Sequence, residues 1–257
     1  MSALSASLPV ECVAIPTDGG KKLAAWYCEG APGRGAIVLM HGVCANRSVL
    51  VERLRFLHGA GYGVLAFDLR AHGESEGDEI TYGALESRDA AAAVDWLRHK
   101  LPGAKIGAIG ISLGGAACLL GPEPLDVDAL VLESVFPDIF RAIDDRLIRF
   151  LGSLGHAIAP VFLEMGRLMT GLDPERLRPI DGLRRVSIPV FLISGTEDRN
   201  TRIEETREMF AVASEPKIFW QVEGAAHVDL ENFAPEEYRR RVLAFFADTL
   251  PPQGRPG

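Results

Sequence analysis

The stretch "KIGAIGISLGGAACLL" (Lys105–Leu120) decides the fold. It is apolar or glycine from Ile106 to Ile111, turns at a single serine, and continues in small apolar residues of helical type. A run that is apolar at every position, rather than at alternate ones, reads as a strand buried on both faces. Gly110 two residues before Ser112 and Gly114 two residues after it mark a joint where a Cβ would meet neighbouring backbone. The plainer alternative is an ordinary helix N-cap at Ser112 beside a tight glycine turn.

Working outward, the same alternation repeats. Upstream, "AIVLM" (36–40) and "YGVLAFD" (62–68) are buried-type strands, separated by the helical pattern "RSVLVERLRFLHGAG" (47–61). A longer helix, "GALESRDAAAAVDWLRHKL" (83–101), is closed by Pro102 and Gly103. Downstream come strands "VDALVLES" (127–134), "IPVFLISG" (188–195) and "PKIFWQV" (216–222), with helices at 202–213 and from Pro235 to about Thr249. Two further strands, "VECVAIP" and "LAAWYC", flank the turn "TDGGKK" near the start. Fully apolar strands alternating with helices predict an α/β fold with a mostly parallel sheet covered on both faces. The interval 138–183 is too long for one crossover. Its pieces "IFRAIDDRLIRFLGSL" and "AIAPVFLEMGRLMTGL" predict a helical cap insertion over the sheet edge, with an oversized connecting layer as the alternative. A single domain over 1–257 is expected, with the tail "PPQGRPG" frayed.

Composition excludes several classes. Net charge is −8 and no basic stripe runs through the chain, so no nucleic-acid partner is expected. The start "MSALSASLPVEC" lacks the basic and apolar regions of a secretory signal, and no apolar run is long enough for a membrane span. Cys12, Cys28, Cys44 and Cys118 are scattered without metal-ligand spacing. They read as reduced thiols of a cytoplasmic protein with no bound metal. No G-x-G-x-x-G follows a strand, so no dinucleotide or other cofactor is expected.

A serine hydroxyl is a weak nucleophile that needs a base, and the base needs a carboxylate to orient it. "SGTEDRNT" puts Asp198 on the loop leaving one strand, and "EGAAHVDL" puts His227 on the loop leaving the next. His227 alone among the six histidines lies downstream of both Ser112 and Asp198. Glu197 and Asp138 are the competing acids.

With these segments, "HGVCANR" (41–47) and "FDLRAHGES" (67–75), the sequence resembles the α/β-hydrolase superfamily over nearly its whole length. The layout is similar to small serine hydrolases with a short helical cap, of the BEM46-like or prolyl-oligopeptidase-like kind. One departure is Ala71, where the family turn has glycine. The resemblance implies a Ser112–His227–Asp198 triad and an oxyanion hole made by the backbone N–H groups of Val43 and Leu113. Each such donor is worth roughly 3–4 kcal/mol of barrier. It also makes Asp68, Arg70 and His72 scaffold, with Arg70 tying loops together, and His41 a packing residue. Superfamily members that cleave carbon–halogen bonds or epoxides carry a carboxylate where Ser112 stands.

The expected activity is hydrolysis of small-molecule carboxylic esters through an acyl-enzyme. A peptidase, an acyltransferase and a non-catalytic scaffold are the alternatives. Phe140, Phe150, Phe162, Met165 and Met169 in the insertion would either line an apolar lid, favouring a hydrophobic acyl group, or hold the insertion to the sheet; the second is expected for most of them. Cys44, beside the oxyanion turn, is expected to be buried and inert.

Overall fold

The structure, a computed structural model, describes residues 8–252; 1–7 and 253–257, with most of the "PPQGRPG" tail, lie outside the described residues. Eight strands form one sheet: β1 (Val10–Pro16), β2 (Lys22–Cys28), β3 (Ala36–Met40), β4 (Gly63–Phe67), β5 (Ile106–Ile111), β6 (Ala129–Glu133), β7 (Val190–Gly195) and β8 (Lys217–Val222). Their spatial order is β1-β2-β4-β3-β5-β6-β7-β8. β2 pairs antiparallel with both β1 and β4, and every other pair is parallel. The central strands are buried at every position, which is why they read as continuous apolar runs, whereas edge strands β1 and β8 are partly exposed.

Successive residues of each central strand feed two cores. Ala36, Val38 and Met40 face one, with residues of α2 (Glu86–Lys100), α3 (Leu113–Leu119), α6 (Pro179–Leu183) and α7 (Ile203–Val212). Ile37 and Leu39 face the other, with α1 (Val51–Gly59), α8 (Leu230–Phe233) and α9 (Pro235–Thr249). Between β6 and β7 stand α4 (Ile139–Leu151) and α5 (Ser153–Thr170), which pack against each other, followed by α6. Two backbone bonds clasp the two ends of this excursion together: Ile139 N–H to Leu177 O (2.9 Å) and Ile180 N–H to Pro137 O (3.0 Å).

Local departures from the expected helices have local causes. Residues 47–50 form a 3-10 turn before α1, because the Asn46 side chain accepts the Ser48 N–H. The long helix expected from residue 83 starts at Glu86. The buried Glu86 carboxylate accepts from Thr81 N–H, Thr81 Oγ1 and Gly83 N–H, so it winds the preceding residues into a loop. The short α8 was not expected; Asp229 caps it by accepting the Glu231 and Asn232 N–H groups.

The packing of α9 on the sheet is intimate. A Cβ on Gly107 of β5 would come within 2.5 Å of the Phe246 ring. Phe246→Ala removes a fully buried ring at this contact and is expected to cost about 3–5 kcal/mol of unfolding free energy. Urea denaturation measures it; a loss below about 1 kcal/mol would contradict the packing.

Candidate active site

The sheet's order reverses around β3: the chain goes from β3 to β4 on one side and returns to β5 on the other. The crevice beyond the carboxyl ends of such neighbouring strands is where open α/β sheets bind ligands. Ser112 stands there, between β5 and α3, with φ 49° and ψ −107°. A non-glycine residue in that region is strained and persists only where its surroundings over-determine it. They do so through close approach: a Cβ at Gly110 would lie 2.6 Å from Gly115 Cα, and one at Gly114 would lie 2.6 Å from the Met40 carbonyl oxygen. Ser112 N–H donates to Glu133 O on β6 (2.8 Å), and its side chain makes no capping bond to α3. The N-cap alternative is thereby set aside.

The loop after β3 runs alongside. A Cβ at Gly42 would sit 3.5 Å from that of Ser112. Two histidines fasten this loop to the turn after β4. His41 Nδ1–H donates to Gly42 O (2.7 Å) while its Nε2 accepts the Leu69 N–H (3.1 Å). His72 Nδ1–H donates to Arg70 O (2.8 Å) while its Nε2 accepts the Cys44 N–H (3.2 Å). Burial, foremost, lowers the pKa of His41 to about 4, so it stays neutral and keeps its acceptor. Asp68 accepts from the Arg47 N–H and guanidinium and from Glu74 N–H; Arg70 forks onto Asp89 of α2 (2.9 and 2.6 Å). These groups serve as scaffold, as the resemblance implies. Ala71 adopts φ 56° in place of the family's glycine, so the turn keeps a left-handed backbone.

The two downstream loops meet. His227 Nδ1 lies 2.8 Å from Asp198 Oδ2. Asp198 also accepts from Asn200 N–H (2.8 Å), Thr201 N–H (3.0 Å) and Thr201 Oγ1 (2.8 Å). Burial pushes this carboxyl up, but the bond and charge of His227 and the Thr201 donors outweigh it and hold it below the usual carboxylate range. The loops are stitched by Glu197 N–H to Ala225 O (2.9 Å) and Gly224 N–H to Thr196 Oγ1 (2.9 Å). Of the competing acids, Glu197 is exposed, and Asp138 caps α4 and pairs with Arg141 and Arg178. Thr201, whose hydroxyl and amide serve Asp198, carried no sequence signal, because any threonine after an acidic turn looks the same.

A polar stripe on α4, spaced by one helical turn, meets the acid loop and α7. Arg141 pairs with Glu208, Asp145 with Arg202 Nε (3.1 Å), and Arg149 donates to Asn200 Oδ1 (3.1 Å). Beneath α5 lies an apolar cavity of about 320 Å³, lined by Ile80, Tyr82, Ile143, Leu163 and Met165, among others. Phe140, Phe150, Phe162, Met165 and Met169 do not hold the insertion to the sheet as expected. All five are exposed, Met169 at 82%: Phe162, Met165 and Met169 lie off the side of α5 that carries the buried Gly155 and Ala159, and Phe140 and Phe150 lie on α4. Cys44 is likewise exposed rather than buried; it sits in left-handed backbone (φ 58°) in the loop after β3. No described helix is long and apolar enough to cross a membrane, and no described cluster of three or more His, Cys, Asp or Glu side chains could hold a metal ion.

Residues 37–241 match the alpha/beta hydrolase family. The chain belongs to that family. It is 30% identical over 223 residues to the uncharacterized protein Rv2307c of Mycobacterium tuberculosis, covering 85% of this chain and 73% of that one. It is 24% identical over 212 residues to the lysophosphatidylserine lipase ABHD12 of Macaca fascicularis, covering 76% of this chain and 49% of that one. Among solved structures, the Pyrococcus furiosus esterase Pf2001 superposes with a TM-score of 0.81 at 26% identity, over 97% of this chain and 95% of that one.

The thiols give a direct check on the loop after β3. Burial pushes the Cys28 thiol up to about 11 and raises that of Cys118 as well, while Cys12 and Cys44 are exposed. Ellman's reagent is expected to modify two thiols promptly in the native protein and the other two only after denaturation. Mass mapping that finds Cys44 unmodified in the native state would contradict its placement.

Proposed function

We propose that the protein is a serine hydrolase that cleaves small-molecule carboxylic esters, with Ser112 as nucleophile, His227 as base and Asp198 as the orienting acid. The observation that carries this reading is the pair of loops that brings His227 Nδ1 to 2.8 Å from a buried, ionised Asp198, downstream of a strained Ser112 at the sheet's switch point. With Nδ1–H donated to Asp198, the opposite ring nitrogen is left as the base. It takes the Ser112 proton as Oγ attacks the ester carbonyl. The Val43 and Leu113 N–H groups hold the oxyanion, and the Leu113 amide opens a helix whose dipole favours negative charge. The imidazolium then protonates the leaving alcohol. A water, deprotonated by His227, releases the acid from the acyl-enzyme and restores the serine.

Helices α4 to α6 act in this reading as the cap of a single domain, and the exposed apolar side chains along α5 favour a hydrophobic acyl group. Likeness to an esterase and to a lysophospholipid lipase supports the same substrate class.

Initial rates on p-nitrophenyl esters from acetate to long acyl chains test the reading. Hydrolysis is expected to peak beyond acetate in this series. Ser112→Ala is expected to lower kcat at least about 10³-fold. Turnover that survives in Ser112→Ala, or no turnover by the wild type across the series, would overturn the proposal.

A further inference from the structure

Arg53 lies on the inward face of α1, between the apolar contacts made by Leu54 and Leu57, and is completely buried. Its guanidinium is fully spoken for. Nη2 and Nε reach Glu133 Oε2 and Oε1 (2.8 and 3.3 Å), and Nη1 reaches Asp229 Oδ1 and Oδ2 (3.0 and 2.9 Å). Nε also donates to the hydroxyl of Tyr238 on α9 (3.0 Å), and that hydroxyl donates to Glu133 Oε1. Glu133 and Tyr238 are as buried as Arg53 itself.

Stability is a poor explanation for such a cluster. Desolvating Arg53 and Glu133, with Asp229 partly exposed beside them, costs several kcal/mol per buried ion, and well-packed apolar side chains in place of a buried ion pair are often as stable or more so. What an arginine fork adds is direction: two parallel donors fix the angle of a carboxylate as well as its distance. Here the fork of Nε and Nη2 holds Glu133, while Nη1 alone reaches both oxygens of Asp229, and the two carboxylates belong to the two halves of the candidate site. Glu133 is the residue whose main-chain oxygen accepts the Ser112 N–H (2.8 Å), and it pairs in register with Ile111. Asp229 follows His227 by two residues and starts α8. Asp198 orients the imidazole ring but does not set how far its loop stands from the nucleophile's strand. The Arg53 bridge spans that gap.

We propose, resting on the serine-hydrolase reading, that Arg53 is a positioning residue: by clasping Glu133 and Asp229 it sets the separation of the Ser112 elbow and the His227 loop for acyl transfer.

Asp229→Asn gives the clean test. The amide oxygen still accepts the Glu231 and Asn232 N–H groups, so the cap of α8 survives while the charged fork partner is lost. Asp229→Asn is expected to lower kcat, and the rate of Ser112 phosphonylation by a p-nitrophenyl phosphonate, roughly 10- to 100-fold, since a displacement near 1 Å has that effect. KM is expected to stay within about twofold and Tm within a few degrees. Arg53→Lys keeps the charge without the fork and is expected to lose as much, with the double variant no worse than the poorer single one. The hydrogen-bonded imidazole proton of His227, seen by NMR in the wild type, is expected to broaden in Asp229→Asn. If Arg53→Lys does not fold, Asp229→Asn decides alone. A reactive wild type beside an Asp229→Asn variant with unchanged kcat and phosphonylation rate would overturn the positioning role alone. Phosphonylation of the wild type that is indifferent to Ser112→Ala would overturn the hydrolase reading, and the positioning role with it.

Discussion

The approach of the helix after β5 to the strand beside it is the constraint on which the rest of the molecule depends. Gly114 lies so near the Met40 carbonyl, and Gly110 so near Gly115, that neither place has room for a methyl group. That proximity holds Ser112 in a backbone conformation that L-residues avoid. It also brings the loop after β3 to the same spot, since Met40 is the last residue of that strand. Ser112, the loop after β3 and the amino end of α3 are thus gathered by one steric fact.

Around this point the protein holds its loops with polar side chains rather than with apolar packing. His41, His72, Asp68 and Arg70 each bind backbone groups or partners that would otherwise be left unsatisfied at the sheet's edge. Leaving a buried polar group unpaired costs free energy, so a network that pairs most of its members favours one arrangement. In the proposed reading the reacting groups follow three strand ends, and these side chains supply the rigidity around them.

Much of this was legible in the sequence, for physical reasons. Strands such as 36–40 and 106–111 are buried on both faces, so their apolar runs are unbroken and their ends are sharp. Ser112 sits directly after such an end, and Asp198 and His227 lie on the loops that follow β7 and β8. Other features depend on partners far away in the chain. Arg53 looks like any basic residue of an amphipathic helix, and only the fold brings it to residues 133, 229 and 238. Glu86 resembles an ordinary residue of a helix interior until Thr81 and Gly83 are seen to bind it. The insertion's phenylalanines and methionines read as packing because apolar periodicity reports an amphipathic face without saying what covers it. That is why their exposure had to come from the structure.

The clasp between residues 137–139 and 177–180 gives the insertion a character of its own. Its two ends are bonded to each other before the chain rejoins the sheet, so α4 and α5 form a closed excursion. Lengthening or shortening such an excursion changes the entropy of closure only slowly. β6 and β7 stay in register with each other whatever is built between them. A module closed in this way can be exchanged for another without disturbing the strand ends on either side of it.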